Sequence, residues 1–290
     1  LGEYARCGYR FYVERVLGLP PLERVDGLPP LERVGGLPPL ERVLGLIPLE
    51  RVGEDAADVG DAPAGGLSGT ERGILVHALL EKLDFRRPLV PSTAAIIEAA
   101  ERAPSAAEAE ELAELIRRFG RSELCARLGG ATDARREEHF AFLIDGGVLM
   151  NGVFDVLARE SDPAHPDRLL VVDYKSDRLE GADPEAVVAG AYRTQQLLYA
   201  LAALRAGAAT VDVVHVFLES PERPVSASFS QDERGELETR LSNLAAGVLQ
   251  RRFPVTETPH RAVCGGCPAE GGLCSWPLEM TGREQPDRLF

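Results

Sequence analysis

Residues 169–177 read LLVVDYKSD, and their reading decides the fold. The four apolar residues predict a strand buried on both faces, yet Asp173, Lys175 and Asp177 follow at once, and unpaired charge is costly inside a protein. Side chains alternate along a strand, so Asp173 and Lys175 face one side and Tyr174 the other. A carboxylate and an ammonium are therefore delivered together to the strand's end. Upstream, Asp155 sits within the equally apolar VFDVLA. Two carboxylates at neighbouring strand positions can share a divalent cation, and oxygen donors suit Mg²⁺ or Mn²⁺. Such a metal activates water and stabilises a developing phosphorane, and Lys175 would orient or deprotonate the water or neutralise the transition state. An Asp-x-Lys triplet alone is common by chance. Here the apolar strand, Asp155 and His77 on a preceding helix give it context.

Outward from this strand, EEHFAFLI and VLMNGVFDVLA read as paired strands around the Asp-Gly-Gly turn at 145–147. TERGILVHALLEKLDF predicts a helix with Thr70 as N-cap and Ile74, Leu75, Ala78, Leu79 and Leu83 on its apolar face. Ala- and Glu-rich helices follow to about residue 127. After the central strand come a helix over about 184–206, the strand VDVVHVFLE, a strand near 224–230 and a helix over about 231–250. Strands among helices predict an α/β or α+β core, and the α/β class is the one expected.

The chain has 290 residues, 44% of them hydrophobic, enough for one large domain or a core with a satellite. No run is long and apolar enough to span a bilayer and none resembles a signal peptide, so the expectation is a cytoplasmic protein with no membrane partner. Leu1 precedes a motif almost at once, so the chain reads as the C-terminal part of something longer. A formal charge of -14 argues against nucleic-acid binding through a general positive field. Bound cations, a local cluster such as Arg117, Arg118 and Arg121, or a partner would have to supply the phosphate contacts.

Residues 13–52 hold a tandem repeat of nine residues, from VERVLGLPP to a final LERV. Its Gly-Leu-Pro-Pro breakers prevent a long helix, and it reads as an inserted surface excursion, with a protein-contact arm as the alternative. The organisation expected is a cysteine-bearing helix at 1–12, repeat and acidic linker at 13–69, a core at 70–256 with a helical insertion at about 88–127, and a cysteine cluster and tail at 257–290.

Cys264-x₂-Cys267-x₆-Cys274 places three of the five cysteines within eleven residues, which fits ligation better than a disulfide framework. A fourth thiolate is missing locally, and Cys7 can supply it. Cys125 reads as a buried apolar side chain. Zinc bound by four thiolates, or with His260 replacing Cys7, and an iron–sulfur cluster both suit the pattern. His139, His165 and His215 read as ordinary histidines.

Gly152-Val-Phe-Asp155, Asp173-Tyr-Lys175, Gln195-Gln-Leu-Leu-Tyr199 and Gly73-Ile-Leu-Val-His77 together resemble the motifs of RecB-type nucleases of the PD-(D/E)XK superfamily, in the same order along the chain. The resemblance implies a restriction-endonuclease-like core, a central mixed β-sheet flanked by helices. It implies that His77, Asp155 and Asp173 ligate Mg²⁺ or Mn²⁺, with the Tyr174 carbonyl helping, and that Lys175 is the catalytic lysine. Glu138 occupies the strand position of an additional acid, with adjacent Glu137 as the alternative register. Gln195 and Tyr199 share a helix face able to reach the lysine or the DNA backbone.

ARCGYRFYVERVLGL is similar to the N-terminal cysteine segment of AddB-type subunits, which implies that Cys7, Cys264, Cys267 and Cys274 hold a 4Fe-4S cluster joining the chain ends. Gly8 stands where that family has Pro, and the last spacing is six where five is common. The implied activity is a metal-dependent DNA exonuclease of double-strand-break repair and recombination, acting on single-stranded ends with a helicase domain or subunit. The alternatives are a non-catalytic DNA- or helicase-binding module and a CRISPR-adaptation-type exonuclease. The long helical segment between His77 and Asp155 favours the recombination-repair type.

Overall fold

In the computed structural model, the stretch at 168–175 is the middle strand of a five-stranded sheet. Residues 1–22, 66–160 and 167–284 are described; the repeat beyond residue 22 and most of the acidic linker lie outside them. The strands are β1 (Asp133–Ile144), β2 (Val148–Arg159), β3 (Arg168–Lys175), β4 (Thr210–Phe217) and β5 (Val225–Ser230), in the order β1-β2-β3-β4-β5. Only β3 and β4 run parallel, and the other neighbours are antiparallel. The sheet is thus mixed. Its two parallel strands are buried almost end to end, whereas β1 alternates between exposed and covered positions. This is why β3 and β4 read as continuous apolar runs.

The crossover from β3 to β4 consists of α7 (Pro184–Val187), a single π turn over Val188–Tyr192, and α8 (Arg193–Arg205), which packs on β4. The opposite face is covered by α3 (Gly69–Glu81), α4 (Thr93–Ala99), α5 (Ala106–Gly120) and α6 (Glu123–Gly129). Each of these four helices opens on a serine whose hydroxyl accepts the backbone N–H three residues on: Ser68, Ser92, Ser105 and Ser122.

Two expectations change. The cap of α3 is Ser68 and not Thr70, because Glu71 stands three residues after Ser68 and returns a bond to its backbone N–H at 2.8 Å. The buried face of α3 is Leu75, Val76, Leu79 and Leu80, with Ile74 61% exposed, since the helix is covered by α5 as well as by the sheet. Leu112, Leu115, Ile116 and Phe119 form a stripe on α5 that packs with Val156, Leu170, Val172 and Tyr174.

The chain divides into two compact units, Gly53–Ser242, which holds the sheet, and a second made of Leu1–Val52 with Asn243–Phe290. The boundary falls inside α9 (Arg234–Leu249). Within the second unit are α1 (Gly2–Arg6), α2 (Gly8–Phe11), α10 (Arg261–Cys264) and α11 (Leu278–Thr281). Its N- and C-terminal parts are tied by Arg10 Nη1, which donates to the carbonyls of Val263 and Gly265 at 2.7 and 3.2 Å, and by Tyr12 stacking on Phe253 at 4.8 Å.

Candidate active site

The β2–β3 ladder runs from Arg159↔Leu169 to Val156↔Val172 and stops. The next residue on each strand is an acid, Asp155 and Asp173. Backbone groups left by the parted strands need other partners, and side chains supply them. Asp155 Oδ2 accepts the N–H of Tyr174 at 2.6 Å, and the Tyr199 hydroxyl lies 2.9 Å from the Val153 carbonyl, to which it donates. The sheet therefore opens as a fork with its functional side chains at the crotch.

On one side of the fork, His77 Nδ1 lies 3.4 Å from Asp155 Oδ1, and Glu137 completes a group whose ligand atoms all fall within 4.8 Å of one another. Glu137 adopts a left-handed φ of 48°, uncommon for a residue with a Cβ. This kink separates the two adjacent acids. Glu138 stays in register opposite Phe154 and ion-pairs with Arg135, so the acid brought to the cluster is Glu137 rather than Glu138. Burial, together with the charge of Asp155, raises the Glu137 carboxyl above its usual range. Burial opposes a charge on His77, but Asp155, helped by Asp173, outweighs it and raises the imidazole to about 9. One imidazole and two carboxylates are a donor set that a divalent cation would satisfy.

On the other side, Lys175 Nζ meets Asp173 Oδ2 at 2.9 Å, with both side chains almost wholly buried. Gln195 Nε2 donates to Asp173 Oδ1 at 3.0 Å and lies 3.1 Å from the Tyr199 oxygen. Tyr199 is itself 3.3 Å from Asp173, but its one proton serves the shorter bond to Val153. Burial opposes ionisation of Asp173, and Lys175 more than offsets this, holding the carboxyl below its usual range. Asp173 thus turns to Lys175 and Gln195 while Asp155 turns to His77 and Glu137. The Gln195–Tyr199 face reaches Asp173, the acid beside the lysine. Tyr174 offers its backbone N–H to Asp155, and its ring packs edge-on against Phe119 at 5.1 Å.

Sequence reasoning names Glu137 as the alternative register and misses two neighbours of this site. His215 stands opposite Asp173 in the β3–β4 ladder, fully buried, with Nε2 3.9 Å from Asp173 Oδ2 and neither ring nitrogen hydrogen-bonded among the described residues. Burial pushes its pKa down to about 4 against the pull of Asp173. Tyr192 presents its ring to Lys175. A strand register between β3 and β4 was the signal needed for His215, and no local pattern carries it.

In the second unit, Cys7, Cys264, Cys267 and Cys274 are all free thiols and line one small cavity with Tyr9 and Trp276. Cys7 is extended between α1 and α2, where its Sγ accepts the N–H of Arg10 at 3.4 Å. Burial pushes the Cys267 thiol up to about 11. Among the described residues, the potential metal ligands gathered within 4.8 Å of one another are His77, Glu137 and Asp155, and these cysteines are not among them. Cys125 is fully buried in the core of the other unit, as expected, and burial raises its thiol to about 11.

Among solved structures, the protein SSO0001 is 16% identical, with 64% of this chain and 86% of that chain covered and a TM-score of 0.32. A candidate exonuclease from Eubacterium rectale is 11% identical, with 71% and 76% covered and a TM-score of 0.37. No curated protein matches. Among the described residues, no helix is long and apolar enough to cross a membrane. Residues 42–271, most of the chain and all of the forked sheet, match the profile of the PD-(D/E)XK nuclease superfamily. With Asp155, Asp173 and Lys175 gathered where β2 and β3 part, the chain belongs to that superfamily.

Proposed function

We propose that this chain is a divalent-cation-dependent DNA exonuclease that hydrolyses phosphodiester bonds at single-stranded ends. The buried Asp173–Lys175 pair, at 2.9 Å and beside a cluster of three ligand-type side chains, carries the reading. An ion pair in this position is poor value for stability alone. His77, Glu137 and Asp155 would hold Mg²⁺ or Mn²⁺, with Asp173 adjacent. The bound cation would neutralise phosphate charge and acidify water. Lys175 contributes a fixed positive charge to the reacting phosphate, Gln195 keeps Asp173 turned to that lysine, and Tyr199 holds the fork open by satisfying Val153. The strongly acidic chain, at -14, favours operation with a helicase domain or subunit that guides DNA, in double-strand-break repair.

The test is cleavage of end-labelled single-stranded DNA with Mg²⁺, Mn²⁺ or EDTA, by the wild-type chain and Lys175→Ala. Metal-dependent cutting lost in the variant supports the reading. A folded wild-type chain that binds DNA without cutting, with and without a helicase partner, favours a binding module instead.

We also infer that Cys7, Cys264, Cys267 and Cys274 hold a 4Fe-4S cluster with a structural role in the cytoplasm, where thiols stay reduced. The four free thiols, brought to one cavity from both ends of the chain, support the reading, and zinc is the alternative. Anaerobic purification should give absorbance near about 400 nm that Cys7→Ala removes; stoichiometric zinc in colourless protein would overturn the inference.

A further inference from the structure

We propose that Tyr192 is the positioning residue of Lys175, an aromatic seat that fixes where the lysine's ammonium stands. Its catalytic consequence rests on the nuclease reading above; the seat itself does not. Lys175 Nζ lies 4.0 Å from the centroid of the Tyr192 ring while also meeting Asp173 Oδ2 at 2.9 Å. The ammonium is therefore held between a carboxylate and an aromatic face. A single ion pair lets a lysine swing about the carboxylate, and a ring face removes that freedom by attracting the cation over its centre.

The ring is itself fixed from several sides. Its hydroxyl donates to Asp177, its face stacks on His215 at 5.9 Å with planes 28° apart, and its edge meets Phe217 at 6.4 Å. Tyr192 also packs with the buried group Leu179, Val188 and Phe217. It is the last residue of the π turn Val188–Tyr192, directly before α8. Such single π turns recur at functional sites. From there, Tyr192, Gln195 and Tyr199 fall at positions i, i+3 and i+7, one stripe of a helical surface. That stripe delivers a ring to Lys175, an amide to Asp173 and a hydroxyl to Val153. The seat thus continues the Gln195–Tyr199 face by one turn.

The chain has only two lysines, exposed Lys82 and buried Lys175, so the seat can be observed directly. In full-length protein carrying ¹³Cε-labelled lysine, in EDTA, the wild type should show two Hε signals, with that of Lys175 displaced upfield by the ring current of Tyr192. Tyr192→Leu should abolish the displacement and Tyr192→Phe should keep it. A wild-type spectrum without a displaced signal, which needs no variant, or a displaced signal that survives Tyr192→Leu, overturns the proposal.

In DNA cleavage, Tyr192→Leu should lower kcat about tenfold with KM unchanged, and Tyr192→Phe should restore it. Equal losses in Tyr192→Leu and Tyr192→Phe would overturn the seat, because the aromatic face alone would then not serve the lysine. Wild-type protein that never cuts DNA defeats the nuclease reading, and the spectra still decide the seat.

Discussion

Asp155 Oδ2 accepts the backbone N–H of Tyr174 at 2.6 Å while its Oδ1 faces His77 Nδ1 at 3.4 Å. One carboxylate therefore closes the backbone of the fork and serves the ligand cluster, and its two tasks can be separated. Asp155→Asn keeps an acceptor for Tyr174 and loses the charge; the expected outcome is cleavage reduced by about a hundredfold or more, with the stability loss confined to the part that His77 draws from that charge. Asp155→Ala should lose the same activity and also about 1–3 kcal/mol, read by urea unfolding, because a buried N–H is left unpaired.

The kink at Glu137 makes the adjacent acids unequal. Glu137→Gln should weaken Mn²⁺ binding by about tenfold in calorimetry, the scale of losing one anionic oxygen ligand. Glu138→Gln should leave it unchanged, since that carboxylate is spent on exposed Arg135.

The two histidines of the site give opposite pH signatures in metal-free protein. His77 is raised to about 9, so its contribution to stability is complete below the unfolded value of about 6.5 and is lost as pH rises to about 9; His77→Gln should flatten that limb. His215 is lowered to about 4, so its folded state needs the neutral ring. Its penalty appears as pH falls from about 6.5 to 4, of order 3 kcal/mol, and His215→Phe should remove it. Thermal unfolding across pH in EDTA checks both.

Gly152 lies under the ring of Phe140: a Cβ added there would stand 2.6 Å from the ring. Phe140 in turn meets Tyr199 edge-on at 5.9 Å and Phe154 at 4.7 Å. Gly152→Val should cost about 1–3 kcal/mol through overpacking. It should also depress cleavage beyond the loss of folded protein, because the displaced ring pushes on the residue that pins Val153.

Much of this architecture is legible in the chain because it is encoded locally. The run at 169–172 specifies a doubly covered strand, and the Asp-Gly-Gly turn specifies the outer hairpin, with Gly146 and Gly147 at φ 84° and 73°. Asp155, Asp173, Lys175, Gln195 and Tyr199 could be singled out because short motifs carry them, and the structure brings them to the one fork. What escaped depends on tertiary neighbours. Ile74 reads as inward on a single apolar stripe, whereas α3 is covered on two sides. Glu137 needed a backbone kink that no propensity announces. His215 and Tyr192 needed the β3–β4 register and the π turn, both consequences of how the crossover packs.

The contact of Phe140 with Gly152 also limits where the chain can be lengthened. Pairing along β1 and β2 has a period of two residues, so one residue added within either strand between the turn and this pair would set Ala141 or His139 against Gly152 and withdraw the ring from Tyr199. Residues added at the Asp145–Gly147 tip leave the pair untouched. The hairpin can therefore grow outward but cannot slide, and its tip is the place to graft a foreign loop without disturbing the acids.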